Sequence, residues 1–199
     1  MGGAMWKHIK RSRRLRALLS FEETLWTRKV SDTKTRQLVS ALNPSNLSAL
    51  EISGEVWKSF GIGSYQSVNY PAFDICSDAL PTRFDLIICE HILEHVLSPG
   101  NALRNIHTML NPQGHLLTVT PFLYKVHPNP NDCARWTEQG MKQLLSEHGF
   151  EPVVTGSWGN RACIKATMEK EYRLFNRYLH SLNNEPDYPL VVWALARKN

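Results

Sequence analysis

The sequence predicts an α/β fold built on a doubly wound, mostly parallel sheet, and three observations carry that expectation. Short apolar runs recur at 47–52, 65–70, 84–89 and 116–120, with the length and content of β-strands. Between the last two lies 99–110, where Leu103, Ile106 and Leu110 share one helical face, so the local order is strand, helix, strand. Finally, Phe84, Leu86, Ile87, Ile88 and Cys89 form a nearly continuous apolar run, which is expected of a strand covered on both faces.

Residues 6–39 contain neither proline nor glycine, and Leu15, Leu18, Leu19 and Phe21 recur at roughly helical spacing. Two helices are expected here, broken near Ser31 and Asp32, either of which can cap the second. That helix should reach about Leu42, where Asn43-Pro44 stops it. The expected organisation is an N-terminal helical extension over 1–45 and a single domain over 46–199. Within the domain, 47–52 ends in Ser53-Gly54, and 137–148 reads as an amphipathic helix leading through Gly149-Phe150 to a strand at Val153-Val154. A last strand is expected within 188–196, whereas 156–187 has no decisive periodicity.

A chain of 199 residues, 42% hydrophobic and 21% charged, can bury one ordinary core without disulfides or metals. No stretch approaches the roughly eighteen apolar residues of a membrane span, and the N-terminus lacks the pattern of a secretory signal. Cys76, Cys89, Cys133 and Cys163 are scattered without paired spacing, so a reduced, cytoplasmic protein is expected. The net charge of +5 is uneven, since residues 1–40 hold ten Lys/Arg against three Asp/Glu. Lys7, Lys10, Arg11, Arg13, Arg14 and Arg16 read as a solvated helical face in preference to a nucleic-acid contact.

In a doubly wound sheet the ligand sits beyond the carboxyl ends of the strands, so polar residues at strand exits are the site candidates. Gly54 follows the first strand, where a missing Cβ lets backbone approach a ligand closely. Asn69 ends the second run and is suited to ribose hydroxyls. Asp74, taken as a third exit in Phe73-Asp74-Ile75, is suited to an adenine amine. The richest exit is the run from Phe84 through Glu90, His91, Glu94 and His95 to Val96, followed by Pro99, a helix, and Leu110-Asn111-Pro112-Gln113-Gly114.

That combined spacing resembles class I S-adenosylmethionine-dependent methyltransferases, especially those like the ubiquinone-pathway O-methyltransferases. The likeness reaches back to Glu51-Ile52-Ser53-Gly54 and forward to Thr120-Pro121-Phe122, covering roughly 47–155, and it continues through His127, Pro130, Asp132 and Arg135-Trp136-Thr137. Two positions depart from the family pattern. Gly54 is the one glycine of a loop that usually has two or three, and Asn69 stands where an acid is usual.

The resemblance implies a Rossmann-like sheet with an antiparallel C-terminal strand and an enzyme using S-adenosylmethionine to methylate an oxygen or nitrogen of a small-molecule acceptor. A catalytically lapsed binding protein and a nucleic-acid methyltransferase guided by the basic N-terminus are the alternatives. Glu51, Ser53, Gly54, Asn69, Asp74, Glu90 and His91 are then the expected cofactor contacts, and Asp132, Arg135 and Trp136 are expected to border the acceptor. His127 is the first candidate for the base and His95 the second, because a neutral imidazole accepts a proton near pH 7. No metal is expected. The inverted zinc-protease spacing His91, Glu94, His95 needs a long helix, and Pro99-Gly100 follows too closely. Convergence of Glu94, His95 and His127 on a divalent cation is the less favoured alternative to their shaping the turn.

Overall fold

The computed structural model describes residues 20–169 and 174–199. Its central sheet has six strands: β2 (Ser48–Ile52), β3 (Ser64–Val68), β4 (Phe84–Glu90), β5 (Leu110–Pro121), β6 (Phe150–Trp158) and β8 (Val191–Lys198). Their spatial order is β3-β2-β4-β5-β8-β6. β2 runs parallel to both β3 and β4, and β4 runs parallel to β5. β8 is antiparallel to β5 and β6, as the resemblance implied. The chain therefore leaves β2 toward one edge and returns to build from its other side, which places the topological switch between β2 and β4.

The pattern of β4 explains its central place. Ile87 and Cys89 point into a core with Leu103, Ile106 and Met109, whereas Leu86 and Ile88 point into a second core with Val39, Trp57 and Leu117. All four β4 residues are fully buried, so the sheet is covered on both faces. The first core is roofed by helix α2 (Pro99–Met109) and helix α3 (Glu138–Glu147), which bury Leu103, Ile106, Met109, Met141 and Leu145 at helical spacing. Proline starts α2, and the Thr137 hydroxyl caps α3 by accepting from Gly140 N–H at 3.0 Å. Helix α1 (Lys29–Ser40) covers the other face through Val39.

The N-terminal expectation is corrected in two respects. Phe21–Leu25 is strand β1, paired antiparallel with β7 (Leu174–Asn176) in a small separate sheet. Trp26 then buries against Cys163 and Phe175, stacks on His180 at 4.1 Å, and donates its indole N–H to the Ser181 carbonyl. Pairing and burial supplied by distant residues outweigh helical propensity here. Helix α1 also runs through Ser31 and Asp32 without a break, the Ser31 hydroxyl donating to the Arg28 carbonyl. The residues of the expected first helix before Ser20 lie outside the described part. Phe73-Asp74-Ile75 forms turns and no strand, while helix α4 (Arg161–Glu169) and β7 occupy the stretch that lacked a pattern.

Gly159 follows β6 where the chain meets the start of β8. A Cβ there would lie 2.1 Å from the Tyr188 carbonyl oxygen and 2.3 Å from Leu190 N, both backbone atoms. Gly159→Ala is therefore expected to destabilise by about 1–3 kcal/mol through overpacking. This should appear as a Tm lowered by roughly 3–10 °C in calorimetry. An unchanged Tm would show that the 159–190 contact yields without cost.

Candidate active site at the switch point

Two cavities open at the carboxyl ends of β2, β4 and β5. The first has a volume of about 440 Å³ and is lined by Ile52, Phe73, Ile75, Ile92 and Val96, with Ser53, Asp74, His91 and His95 among its polar groups. The second, about 230 Å³, is bounded by Leu25, Arg28, Pro121, Tyr124, Leu190 and Val191 and again by His91 and His95, with His127 added. His91 and His95 belong to both walls, so these two residues stand between the cavities.

Backbone geometry makes this junction. Ser53 leaves β2 with φ of 60° and His91 leaves β4 with φ of 56°, both left-handed without being glycine. Each first continues the sheet by one hydrogen bond, Ser53 N–H to the Val68 carbonyl and His91 N–H to the Val119 carbonyl, and then turns away. Two residues held in a sparsely populated conformation at neighbouring strand exits mark a built feature.

Ser53, Asp74 and His91, all expected cofactor contacts, line the first cavity. Glu51 does not reach it. Its carboxylate is buried and accepts from Val56 N–H, Trp57 N–H and the Tyr65 hydroxyl, so it braces the loop after β2 from beneath. Burial, together with this bond to Glu51, raises the pKa of Tyr65 well above its ordinary value. Asn69 accepts from Gly54 N–H at 2.9 Å, so both residues tie the loop to the exit of β3. Glu90 lies 3.6 Å from Arg28, and burial holds its carboxyl above the usual carboxylate range against the opposing pull of that cation. Cys76, not foreseen as a site residue, lines the first cavity, and burial raises its thiol pKa.

The expected acceptor-bordering residues are also placed differently. Asp132 forms an ion pair with Arg135, accepts from His127 N–H at 2.9 Å, and stands 3.5 Å from His127 Nδ1. The Arg135 hydrogen bond is the main reason that its pKa is pulled down to about 2. This pair clamps the back of His127, while Trp136 packs on the main core. Asn129, Pro130 and Asn131 of the same loop line the first cavity in their stead. The wall formed by Leu25, Thr27 and Arg28 was hidden by the helical reading of that segment. Lys7, Lys10, Arg11, Arg13, Arg14 and Arg16 lie outside the described residues. Among the described residues no helix is long and apolar enough to cross a membrane.

The first cavity has the size and the mix of apolar walls and few polar groups of a small-molecule site. Comparison with known proteins identifies the fold and the family. A family model described as a methyltransferase domain matches residues 27–155. Among solved structures, an S-adenosylmethionine-dependent methyltransferase from Mesorhizobium loti is similar at 16% identity and a TM-score of 0.55, over 81% of this chain and 96% of that one. The N-methyltransferase NodS from Bradyrhizobium japonicum is similar at 16% identity and 0.52, over 85% and 97%. An O-methyltransferase from a trans-AT PKS multienzyme of Brevibacillus brevis, in complex with S-adenosyl-L-homocysteine, gives 11% and 0.51, over 90% and 81%. At such identities these likenesses establish the α/β Rossmann-like fold. No curated protein matches the chain significantly.

The chain belongs to the methyltransferase domain family, within the class I enzymes that use S-adenosylmethionine as cofactor.

Proposed function

We propose that this enzyme transfers the methyl group to an oxygen or nitrogen of a small-molecule acceptor, with the cofactor in the first cavity and the acceptor in the second. The wall that the two cavities share at His91 and His95 is the observation that carries this reading. Methyl transfer needs a nucleophile in line with the sulfonium carbon at about 3–3.5 Å, and neighbouring chambers that share one wall would set the two substrates side by side. When bound, the cofactor supplies an activated methyl whose carbon–sulfur electron pair returns to sulfur as the acceptor's lone pair forms the new bond.

The residues of the chain divide the remaining work. Ser53, Asp74 and His91 hold the adenosyl group and its tail, and Glu51, Gly54 and Asn69 shape the loop around it. Ile52, Phe73, Ile92 and Val96 exclude water from the adenosyl slot. His95 and His127, on the wall shared with or facing the acceptor, deal with the proton that a hydroxyl or amine acceptor must lose. A chamber of about 230 Å³ favours a compact acceptor of one or two rings over a polymer.

A panel of phenols, sugars, amines, RNA and DNA, scored by S-adenosyl-L-homocysteine formed, tests the reading. Turnover on a compact hydroxyl or amine is expected, and turnover confined to nucleic acid would overturn it.

A further inference from the structure

Arg28 is the unexplained residue of the second cavity. It stands at the N-cap of α1, where a cation opposes the helix dipole, so the helix gains nothing from its charge. Two carboxylates flank one edge of its guanidinium, Asp32 Oδ1 at 3.4 Å from Nε and Glu90 Oε2 at 3.6 Å from Nη2. Neither contact is a hydrogen bond, and the buried Nε has no hydrogen-bond partner. Nη1 has no partner among the described residues. A guanidinium so incompletely satisfied by its own protein is uncommon, because buried donors are ordinarily paired.

Local structure fixes this group in place. Trp26, in the same 3-10 turn, is buried and donates to the Ser181 carbonyl at 2.9 Å, and the Ser31 hydroxyl donates to the Arg28 carbonyl at 3.1 Å. The two flanking carboxylates then orient the guanidinium by its Nε–Nη2 edge and leave the end that carries Nη1 and Nη2. The side chain stays 34% exposed and lines the second cavity. Among the described residues of that wall, Arg28 is the one with a formal charge, and none is a carboxylate. His91 Nε2, on the same wall, is likewise buried without a partner, so the chamber calls for a polar occupant.

We propose that Arg28 selects an acceptor bearing an oxyanion, a carboxylate or a phosphate, and holds it in the second cavity. The inference rests on the methyltransferase reading above and names the class of its acceptor, a compact hydroxy or amino compound with one anionic group. A guanidinium end matches two oxygens of either oxyanion, which gives direction as well as attraction. Leu25, Leu190 and Val191 cover the apolar body of such a molecule. Arg28 is absent from the walls of the first cavity, so its anchor belongs to the acceptor.

The test offers protein saturated with S-adenosyl-L-homocysteine three matched pairs by calorimetry: hydroxybenzoate with hydroxybenzamide, aminobenzoate with aminobenzamide, and hydroxyphenyl phosphate with hydroquinone. The same pairs are assayed for turnover with S-adenosylmethionine. At least one anion is expected to exceed its neutral partner about 10–100-fold in affinity and in kcat/KM, and the pair with the larger ratio tells carboxylate from phosphate. Arg28→Gln should raise KM for the anion by about that factor while the neutral partner and S-adenosyl-L-homocysteine affinity stay within about twofold. A merely structural role would weaken both members of a pair alike. Arg28→Lys keeps the charge without the fork and should retain part of the preference, and it carries the test should Arg28→Gln fail to fold. Equal treatment of charged and neutral partners, no binding of any anion, or a preference that survives in Arg28→Gln while nucleoside affinity falls would overturn the inference and leave the methyltransferase reading standing. Failure of the unaltered protein to bind S-adenosyl-L-homocysteine would overturn that reading, and this inference with it.

Discussion

Replacing His127 by alanine is expected to lower kcat by about 10²–10⁴-fold while S-adenosyl-L-homocysteine affinity stays within about twofold. The asymmetry follows from position. His127 lines the second cavity and is absent from the walls of the first, so its loss should reach the acceptor and spare the cofactor. His95 provides the internal contrast, because it borders both cavities and His95→Ala should impair turnover and nucleoside binding together. Steady-state kinetics with a calorimetric titration of each variant separates the two effects. A collapse of nucleoside affinity in His127→Ala would mean that the cofactor extends into what is described as the acceptor chamber.

Glu51→Ala is expected to cost about 3–5 kcal/mol, a fall in Tm of roughly 10 °C or more by calorimetry. Removing the carboxylate strands Val56 N–H, Trp57 N–H and the Tyr65 hydroxyl in a place with little water. Because those groups belong to or support the loop that bends at Ser53, nucleoside affinity should fall with stability. Glu51→Gln keeps one acceptor oxygen and should be intermediate. Tyr65→Phe, which removes one of the three donors, should soften the penalty of Glu51→Ala in the double variant. Unaltered stability in Glu51→Ala would show that solvent reaches the loop and satisfies it.

Much of the sheet is legible in the sequence because its central strands are buried on both faces. An apolar run such as 84–89 admits few other placements, and the amphipathic spacing of Leu103 and Ile106 fixes the adjoining crossover. The site is legible only in part. Ser53 and His91 line the cavities as the first residues past β2 and β4, and Asp74, His95 and His127 line them from the turns and loops beyond. Glu51, Asn69 and Asp132 were expected at the ligand, but each has its oxygens turned to protein donors, and a sequence shows residue type without showing which way a carboxylate faces. Leu25, Thr27 and Arg28 were missed because β1 pairs with β7 some 150 residues away in the chain, a partner that no local periodicity reveals.

A structure determined with S-adenosyl-L-homocysteine addresses the central claim most directly. The account predicts the adenosyl group between Ser53 and Asp74 in the larger chamber and the sulfur aimed at His91 and His95, with the smaller chamber left for the acceptor. Density for the nucleoside in any other place, or none at millimolar concentration, would contradict it.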